Sequence, residues 1–202
     1  MLTLWAQGVF SMLESTTSAE AVLDQALAAL RSGGDALFSA LNTLPAPVYV
    51  TDANGVIQYF NSACIDFAGR TPVVGQDRWC VTWKLYTELG DFLPHDECPM
   101  AEAIKTQQSV RGVIAMAERP DGTRVTFQPY PTPLFEPDGS FRGAVNMLID
   151  ITDKRQADSL RAQAERCRRL ARSVNDRQTT DALGHLAQEY ETKAQLLDRK
   201  SS

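Results

Sequence analysis

The chain has 202 residues, of which 44% are hydrophobic and 22% are charged, and its formal net charge is −5. This composition is typical of a folded globular protein and excludes a chain that is disordered throughout. The acidic balance gives no overall field that would attract nucleic acid or an anionic membrane. The first residues lack the basic segment of a secretion signal and the length of a membrane anchor. The four cysteines have no zinc-ligand spacing, so we expect reduced thiols and a cytoplasmic location.

Two helices are predicted at the start of the chain. Apolar residues recur at three- and four-residue spacing over residues 18–31, and Gly33 follows the pattern as a terminator. A shorter helix is predicted over residues 35–43, because the prolines that follow disfavour helical backbone. These helices make residues 1–40 an N-terminal helical extension.

The pattern then changes to that of a β-hairpin with a helix after it. Residues 48–60 form two β-rich runs joined by a turn that contains Asn54 and Gly55, a pair typical of tight hairpins. Asn61 is expected to cap a short helix that runs through Phe67. This region begins a domain that we expect to cover residues 41–152.

The second half of this domain is predicted to be a three-stranded antiparallel meander. An irregular stretch at residues 69–91 and a helix from Cys98 or Pro99 to Gln107 precede it. Three β-like segments follow, separated by two Pro-Asp-Gly turns, and they cover residues 110–118, 123–134 and 141–151. The predicted fold is therefore α+β: a five-stranded antiparallel sheet with helices on one face.

Two further helices are predicted after the sheet. They cover residues 153–174 and a segment from 177 or 179 to 197, with a break at Asn175 and Asp176. Neither is long or regular enough for an extended coiled coil. We interpret residues 153–202 as a C-terminal helical hairpin or dimerisation arm.

This order of elements resembles the PAS family. The resemblance is carried by Pro47-Val-Tyr-Val-Thr-Asp-Ala-Asn-Gly-Val-Ile-Gln-Tyr-Phe-Asn61 at the start of the domain and by Ile149-Asp-Ile-Thr-Asp-Lys154 at its end. The stretch Leu93-Pro-His-Asp-Glu-Cys-Pro-Met100 is similar to one in a subset of bacterial PAS domains. The resemblance implies a bacterial signalling protein with a cavity between the sheet and its helices. It also implies dimerisation through the sheet or the flanking helices.

Nine residues are candidates to line that cavity, because ligand pockets are mostly apolar with a few polar groups. They are Phe67, Trp79, Trp83, Tyr86, Met100, Ile104, Phe127, Asn146 and Met147. The alternative is that they fill the core, since aromatic and Met side chains in such domains usually pack. Asn146 is the most informative, because it is polar among apolar neighbours.

The cofactor is left unknown by the sequence. His95 and Cys98 are the only residues that suggest haem contacts, but they are better explained as a loop residue and the start of a helix whose cap is Asp96. A light-sensing flavin domain of this family would carry a reactive cysteine soon after a Gly-Arg pair. Cys80 falls two places late, which argues against a flavin adduct. No residues are assigned to a metal.

Asp150, Ile151 and Thr152 match the family signature that joins the last strand to an output helix, and the resemblance implies signal transmission there. No catalytic motif is present. We therefore expect a non-catalytic sensor or adaptor that dimerises, binds a small molecule or a partner protein, and signals through its C-terminal helices. The alternatives are a dimerisation scaffold without a ligand and a DNA-binding regulator that uses the basic helix at residues 154–172.

Overall fold

The computed structural model describes residues 41–200 together with Ala21 and Asp24. The predicted helix at residues 18–31 otherwise lies outside the described residues. So does the helix predicted at 35–43, apart from its end, where Leu41 and Asn42 are helical. The described chain divides into two compact units, one ending at Ile149 and the other beginning at Asp150.

Eight strands form one sheet. They are β1 (Val48–Asp52), β2 (Ile57–Phe60), β3 (Lys84–Thr87), β4 (Phe92–Leu93), β5 (Ala115–Glu118), β6 (Arg124–Pro129), β7 (Thr132–Phe135) and β8 (Phe141–Asp150). The spatial order is β2-β1-β8-β6-β5-β3-β4, with β7 also paired to β8. Strand β8 therefore lies near the middle of the sheet and is its longest strand.

The helices are α1 (Ala63–Ala68), α2 (Pro99–Thr106), α3 (Thr152–Ser173) and α4 (Arg177–Lys200), with a short 3₁₀ turn at His95–Glu97. Pro99 occupies the first turn of α2, as the sequence predicted. Among the helices of the described residues, none is long and apolar enough to cross a membrane.

The antiparallel α+β architecture predicted from the sequence is confirmed, and so is the meander of β5, β6 and β8. The sheet has eight strands where five were predicted. Strands β3 and β4 form a hairpin at the end of the stretch interpreted as irregular, and the segment predicted at residues 123–134 is two strands. The interruption falls at Tyr130 and Pro131, because proline has no N–H to continue the ladder.

The first strand of the meander is also shorter than predicted. Residues 110–118 were expected to be extended, but only Ala115–Glu118 pair as a strand. Gly112 has a φ of 74°, a left-handed conformation that does not belong to a regular strand. The strand therefore begins after Gly112, at Ala115.

Asn61 does not cap helix α1, and this prediction was wrong. The residue at the cap position is Ser62, whose side chain makes no capping hydrogen bond. The side chain of Asn61 is buried and turns toward the preceding segment. Its Nδ2 donates to the carbonyl oxygens of Leu41 and Ala46, and its Oδ1 accepts from the N–H of Val48. Asn61 thus ties the chain before β1 to the end of β2.

Asp96 does not cap helix α2 either. It lies in the 3₁₀ turn, and the cap position belongs to Cys98, which makes no side-chain capping bond. The short turn between Pro94 and Cys98 places Asp96 two residues too early for that role.

The sheet separates two hydrophobic clusters, because successive side chains of a strand point to opposite faces. The inner cluster lies on the face covered by α1 and α2. The outer cluster lies on the other face and includes Leu41, Val48, Val145 and Met147.

The second unit is a helical hairpin of α3 and α4. Its small core contains Ala164, Cys167 and Ala187, with Leu183 and Tyr190 packed against it. Asp176 lies in the turn between the helices, and its side chain binds the first turn of α4. The sequence interpretation treated that residue only as part of a break. Its Oδ2 accepts hydrogen bonds from the N–H and hydroxyl groups of Thr179.

Candidate functional site

Five of the nine candidate pocket residues meet in the inner cluster. Phe67, Met100, Ile104 and Phe127 are buried there, and Trp79 is partly buried against them. The rings of Phe67 from α1 and Phe127 from β6 contact edge to face, with centroids 5.3 Å apart. The sheet and its two covering helices therefore share one continuous apolar interior.

A buried hydrogen-bonded chain of polar groups crosses this interior. The hydroxyl of Tyr49 on β1 donates to the carbonyl oxygen of Trp79 at 2.9 Å. Asn146 on β8 donates from Nδ2 to the same hydroxyl at 3.0 Å, and its Oδ1 accepts from the N–H of Tyr130. Burial raises the pKa of Tyr49 well above its ordinary value, so the phenol stays protonated and can keep both bonds.

Trp79, which receives the Tyr49 hydrogen bond, has an unusual backbone. Its φ is 69°, although it is not glycine, and its ring lies against Gly55 in the β1–β2 turn. A Cβ atom at Gly55 would come within 2.2 Å of that ring. The turn glycine therefore makes room for the tryptophan ring, which packs against the inner cluster.

Three of the four remaining candidate residues lie elsewhere. Asn146 and Met147 are neighbours on β8 and so face opposite sides of the sheet, which places Met147 in the outer cluster. Tyr86 is half-buried and pairs with the exposed Phe92 across β3 and β4. Trp83 is 44% exposed, and Nζ of Lys84 lies 4.0 Å from its ring centre. None of these three belongs to the inner cluster.

Three thiols lie in the inner cluster, at Cys64, Cys80 and Cys98. Burial raises the pKa of Cys64, and it raises the pKa of Cys98 to about 12. The hydroxyl of Thr82 lies 3.2 Å from the Cys80 sulfur. Because the thiolate is the reactive form, Cys64 and Cys98 are held in their unreactive state.

His95 is the other residue that the sequence suggested as a haem contact. Its Nε2 atom is buried without a hydrogen-bond partner. Burial lowers the pKa of His95, and the positive charge of Arg70 lowers it further, so the imidazole is neutral. In the part of the chain that the structure describes, no three His, Cys, Asp or Glu side chains are grouped so as to hold a metal ion.

Sequence reasoning missed the role of Tyr49. It lies in the run Val48-Tyr49-Val50, and all three residues are buried, since both faces of β1 are covered. An uninterrupted apolar run does not show which face each residue takes. The pairing of Tyr49 with Asn146 across β1 and β8 is a tertiary contact that no local pattern encodes.

Asp150 is the last residue of β8 and is hydrogen-bonded to the start of α3. Its Oδ1 accepts a hydrogen bond of 2.8 Å from the N–H of Thr152, the first residue of α3. Ile151 is the single residue between strand and helix, and its carbonyl accepts from the N–H of Arg155 to open the helical ladder. One residue therefore separates the end of β8 from the start of α3.

Comparison with known proteins gives a curated relative. It is the C4-dicarboxylate transport sensor protein DctS of Rhodobacter capsulatus, 29% identical over 137 residues. The matched region is 66% of this chain and 20% of that protein, so the chain spans about one fifth of the length of its relative.

Solved structures are similar to the chain at low identity. A light-oxygen-voltage protein of Rhodobacter sphaeroides is 12% identical, with 89% of this chain and 98% of that chain covered and a TM-score of 0.44. A PAS domain of a protein from Colwellia psychrerythraea is 17% identical, with 56% and 92% covered and a TM-score of 0.38.

The family model described as the PAS fold matches residues 41–156, which is more than half of the chain. This span begins at Leu41, which accepts a hydrogen bond from Asn61 at its carbonyl oxygen, and it ends in the first turns of α3. It contains the whole sheet, both covering helices and the buried Tyr49–Asn146 pair. The chain therefore belongs to the PAS fold family.

Proposed function

We propose that the protein is a non-catalytic signal sensor or adaptor that dimerises and passes a ligand- or partner-induced change to its C-terminal helices. In this proposal residues 41–152 are the sensing domain, and residues 1–40 are an N-terminal extension. Residues 153–202 are the output arm. Asp150, Ile151 and Thr152 are the point of transmission.

The observation that carries this proposal is that strand β8 runs from the interior of the domain to the start of α3. Its residue Asn146 hydrogen-bonds to Tyr49 inside the domain, and its last residue, Asp150, binds the first N–H of α3. A strand is stiff along its axis, and only Ile151 separates it from the helix. A shift of β8 at Asn146 is therefore expected to move the start of α3, because Asp150 is hydrogen-bonded to the first residue of that helix.

The curated relative supports sensing but does not supply a ligand. DctS is named as a sensor of C4-dicarboxylate transport, and the match covers a small part of it. Among the described residues, no lysine or arginine is buried; the buried polar side chains are those of Thr51, Asn61, Thr82 and Asn146. A buried dicarboxylate without a cation would be strongly unfavourable, so the chemistry of this interior does not fit one.

If the interior accepts a ligand, we propose that it is a small, mostly apolar molecule with one hydrogen-bonding group. Phe67, Trp79, Met100, Ile104 and Phe127 would surround its apolar part. The polar group would replace one bond of the Tyr49–Asn146 pair. Exchanging one buried hydrogen bond for another is the least costly way to admit such a molecule.

A ligand-free scaffold is the second candidate, and the packing of the interior favours it. The same five side chains already contact one another, with Phe67 and Phe127 in van der Waals contact. In this version a partner protein, and not a small molecule, supplies the signal.

Mass spectrometry of the purified full chain separates the two candidates. The sensing version predicts a small molecule of fixed mass that stays bound under native conditions and is released when the protein is denatured. A Tyr49→Phe variant should carry less of it, because one anchoring hydroxyl is lost. A Trp83→Phe variant is the control, since Trp83 lies outside the inner cluster. A native mass equal to a whole multiple of the bare polypeptide mass after mild purification contradicts the ligand version.

DNA binding by α3 has less support. Arginines of this helix are engaged in ion pairs within the hairpin: Arg161 with Asp198, Arg168 with Glu191 and Arg172 with Glu165. Phosphate contacts would have to compete with these carboxylates.

A further inference from the structure

The segment that follows α1 runs along the outer edge of β2, and we call residues 70–79 the strap. The N–H of Ile57 in β2 donates to the carbonyl of Asp77 at 2.9 Å. The N–H of Trp79 donates to the carbonyl of Gly55 at 2.7 Å. These bonds attach the strap to the edge of the sheet, although it is not one of the eight strands.

The end of the strap lies against the inner cluster. The ring of Trp79 packs on that cluster, and its carbonyl accepts the hydrogen bond of the Tyr49 hydroxyl. The φ of Trp79 is 69°, a conformation that costs free energy and persists only where surrounding contacts hold it. A strap that lost its other contacts would therefore release Trp79 and uncover the interior.

An ion pair holds the strap closed. The Nη2 atom of Arg70 contacts Oδ2 of Asp77, and the same carboxylate oxygen accepts from the N–H of Val73 at 2.9 Å. The pair is only partly open to water, since the two side chains are 24% and 23% exposed. Charges placed beside such a pair act on it strongly, because little water screens them.

His95 is the titratable group beside this ion pair. Its Nε2 atom is buried and has no hydrogen-bond partner among the described residues. Three charged side chains act on the imidazole: Arg70 and Asp77 from the strap, and Asp96 from its own 3₁₀ turn. Lys105 of α2 binds the carbonyl of Asp96 in the same turn. A protonated imidazole donates from both nitrogens, so it would have a buried N–H without an acceptor here.

Protonation of His95 would act against the ion pair. The imidazolium charge would repel the guanidinium of Arg70 and attract the carboxylate of Asp77, which is the partner of that guanidinium. Opening of the strap would admit water to the imidazole and move the charge of Arg70 away. The open form therefore binds a proton more readily than the closed form.

The direction of the pH dependence follows from the pKa of His95. Burial lowers this pKa in the closed form, and the charge of Arg70 lowers it further. Opening returns it toward the ordinary histidine value of about 6.5. The closed strap thus keeps its full stability above about pH 6.5, and it loses stability as the pH falls from there toward the lowered pKa.

We propose that His95 is a pH switch whose protonation releases the strap and opens the interior of the PAS domain. This inference rests on the proposed function and names one form of its regulation. The released strap would take Trp79 from the Tyr49 hydroxyl, which also binds Asn146 on β8. Acidification then reaches the same strand that we propose as the path to α3.

The test follows the imidazole and the strap in the full chain. NMR measures the titration of His95, and a His185→Gln variant isolates its signal because the chain has only two histidines. The midpoint is expected below the ordinary value of about 6.5. Hydrogen exchange, corrected for its intrinsic pH dependence, should be about threefold or more faster in the strap at about pH 5.5 than at about pH 7.5.

His95→Gln keeps a polar side chain but does not titrate, so strap exchange in this variant should no longer respond to pH in this range. His185→Gln is the matched control, since His185 is exposed on α4 and its loss should leave the response intact. An equal response in His95→Gln overturns the proposal. So does a His95 midpoint at or above about 6.5, which is measured with His95 present and so does not depend on the folding of that variant.

The switch and the proposed sensing of a ligand fail separately. A strap that ignores pH, in a chain that retains a small molecule under native conditions, overturns the switch and leaves ligand sensing untouched. A strap that opens on acidification, in a chain without a bound molecule, supports the switch and contradicts only the ligand version of the proposed function.

Discussion

Replacing Asn61 with alanine is expected to lower the free energy of unfolding by about 3 kcal/mol or more, since a buried polar group left without its partner costs about 1–3 kcal/mol. The change leaves the carbonyl of Ala46 and the N–H of Val48 without the partner that Asn61 supplies. It also removes one of the two hydrogen bonds to the carbonyl of Leu41, which keeps the bond from the N–H of Leu44. Asn61 itself is buried, so water cannot replace the amide without opening the structure. Urea unfolding followed by circular dichroism measures the loss.

Asn42→Ala is the matched control for this experiment. The Oδ1 atom of Asn42 also accepts a backbone hydrogen bond, from the N–H of Ser62 at 3.2 Å, but the residue is exposed. Water can take its place, so we expect a loss below about 1 kcal/mol. Equal losses in the two variants would show that Asn61 is not the tie between the segment before β1 and the sheet.

Gly143→Ala is expected to destabilise the protein by a similar amount, about 3 kcal/mol, as substitutions that force buried backbone apart commonly do. Gly143 pairs with Asp52 where β8 lies against β1, and its φ is 146°. An added Cβ would lie 2.0 Å from the carbonyl oxygen of Thr51 and within 3 Å of the backbone of Asp52. The two strands would have to separate at this point, three residue pairs along the ladder from Tyr49 and Asn146.

Gly139→Ala is the control that distinguishes the effect of the close packing at Gly143 from the effect of backbone strain. Gly139 also has a positive φ, of 85°, but no atom lies within 4 Å of the position its Cβ would take. The conformational cost alone is about 1–2 kcal/mol. If Gly143→Ala were no more harmful than Gly139→Ala, the steric account of the β1–β8 contact would be wrong. Thermal and urea unfolding of both variants make the comparison.

The elements that the sequence predicted well are those with local signals. The Pro-Asp-Gly turns close as expected: the N–H of Gly122 bonds to the carbonyl of Arg119, and Gly139 bonds to Glu136 in the same way. The C-terminal helices also begin and end within a few residues of the predicted bounds, because their apolar spacing is regular. The family resemblance was carried by residues 47–61 and 149–154, and both stretches lie within residues 41–156, which the family model matches.

The features that the sequence did not predict depend on distant partners. Asn61 precedes a helix and so has the local pattern of a cap, but its side chain binds a segment up to 20 residues earlier. Met147 was grouped with Asn146, although strand alternation puts them on opposite faces. That error could have been avoided, since alternation follows from the strand alone. Which face is the interior, however, is settled only when β8 pairs with β1 and β6.

Hydrogen exchange on the full chain tests most directly the central claim that a change inside the PAS domain reaches the helical arm through β8. Tyr49→Phe removes the hydroxyl that joins Asn146 to the carbonyl of Trp79 while keeping the ring. We predict faster amide exchange in β8 and also in the first two turns of α3. Asn42→Ala, which changes no interior contact, should leave the exchange of α3 unchanged. A Tyr49→Phe effect that stops at Asp150, with α3 exchanging as in the wild type, would contradict the account.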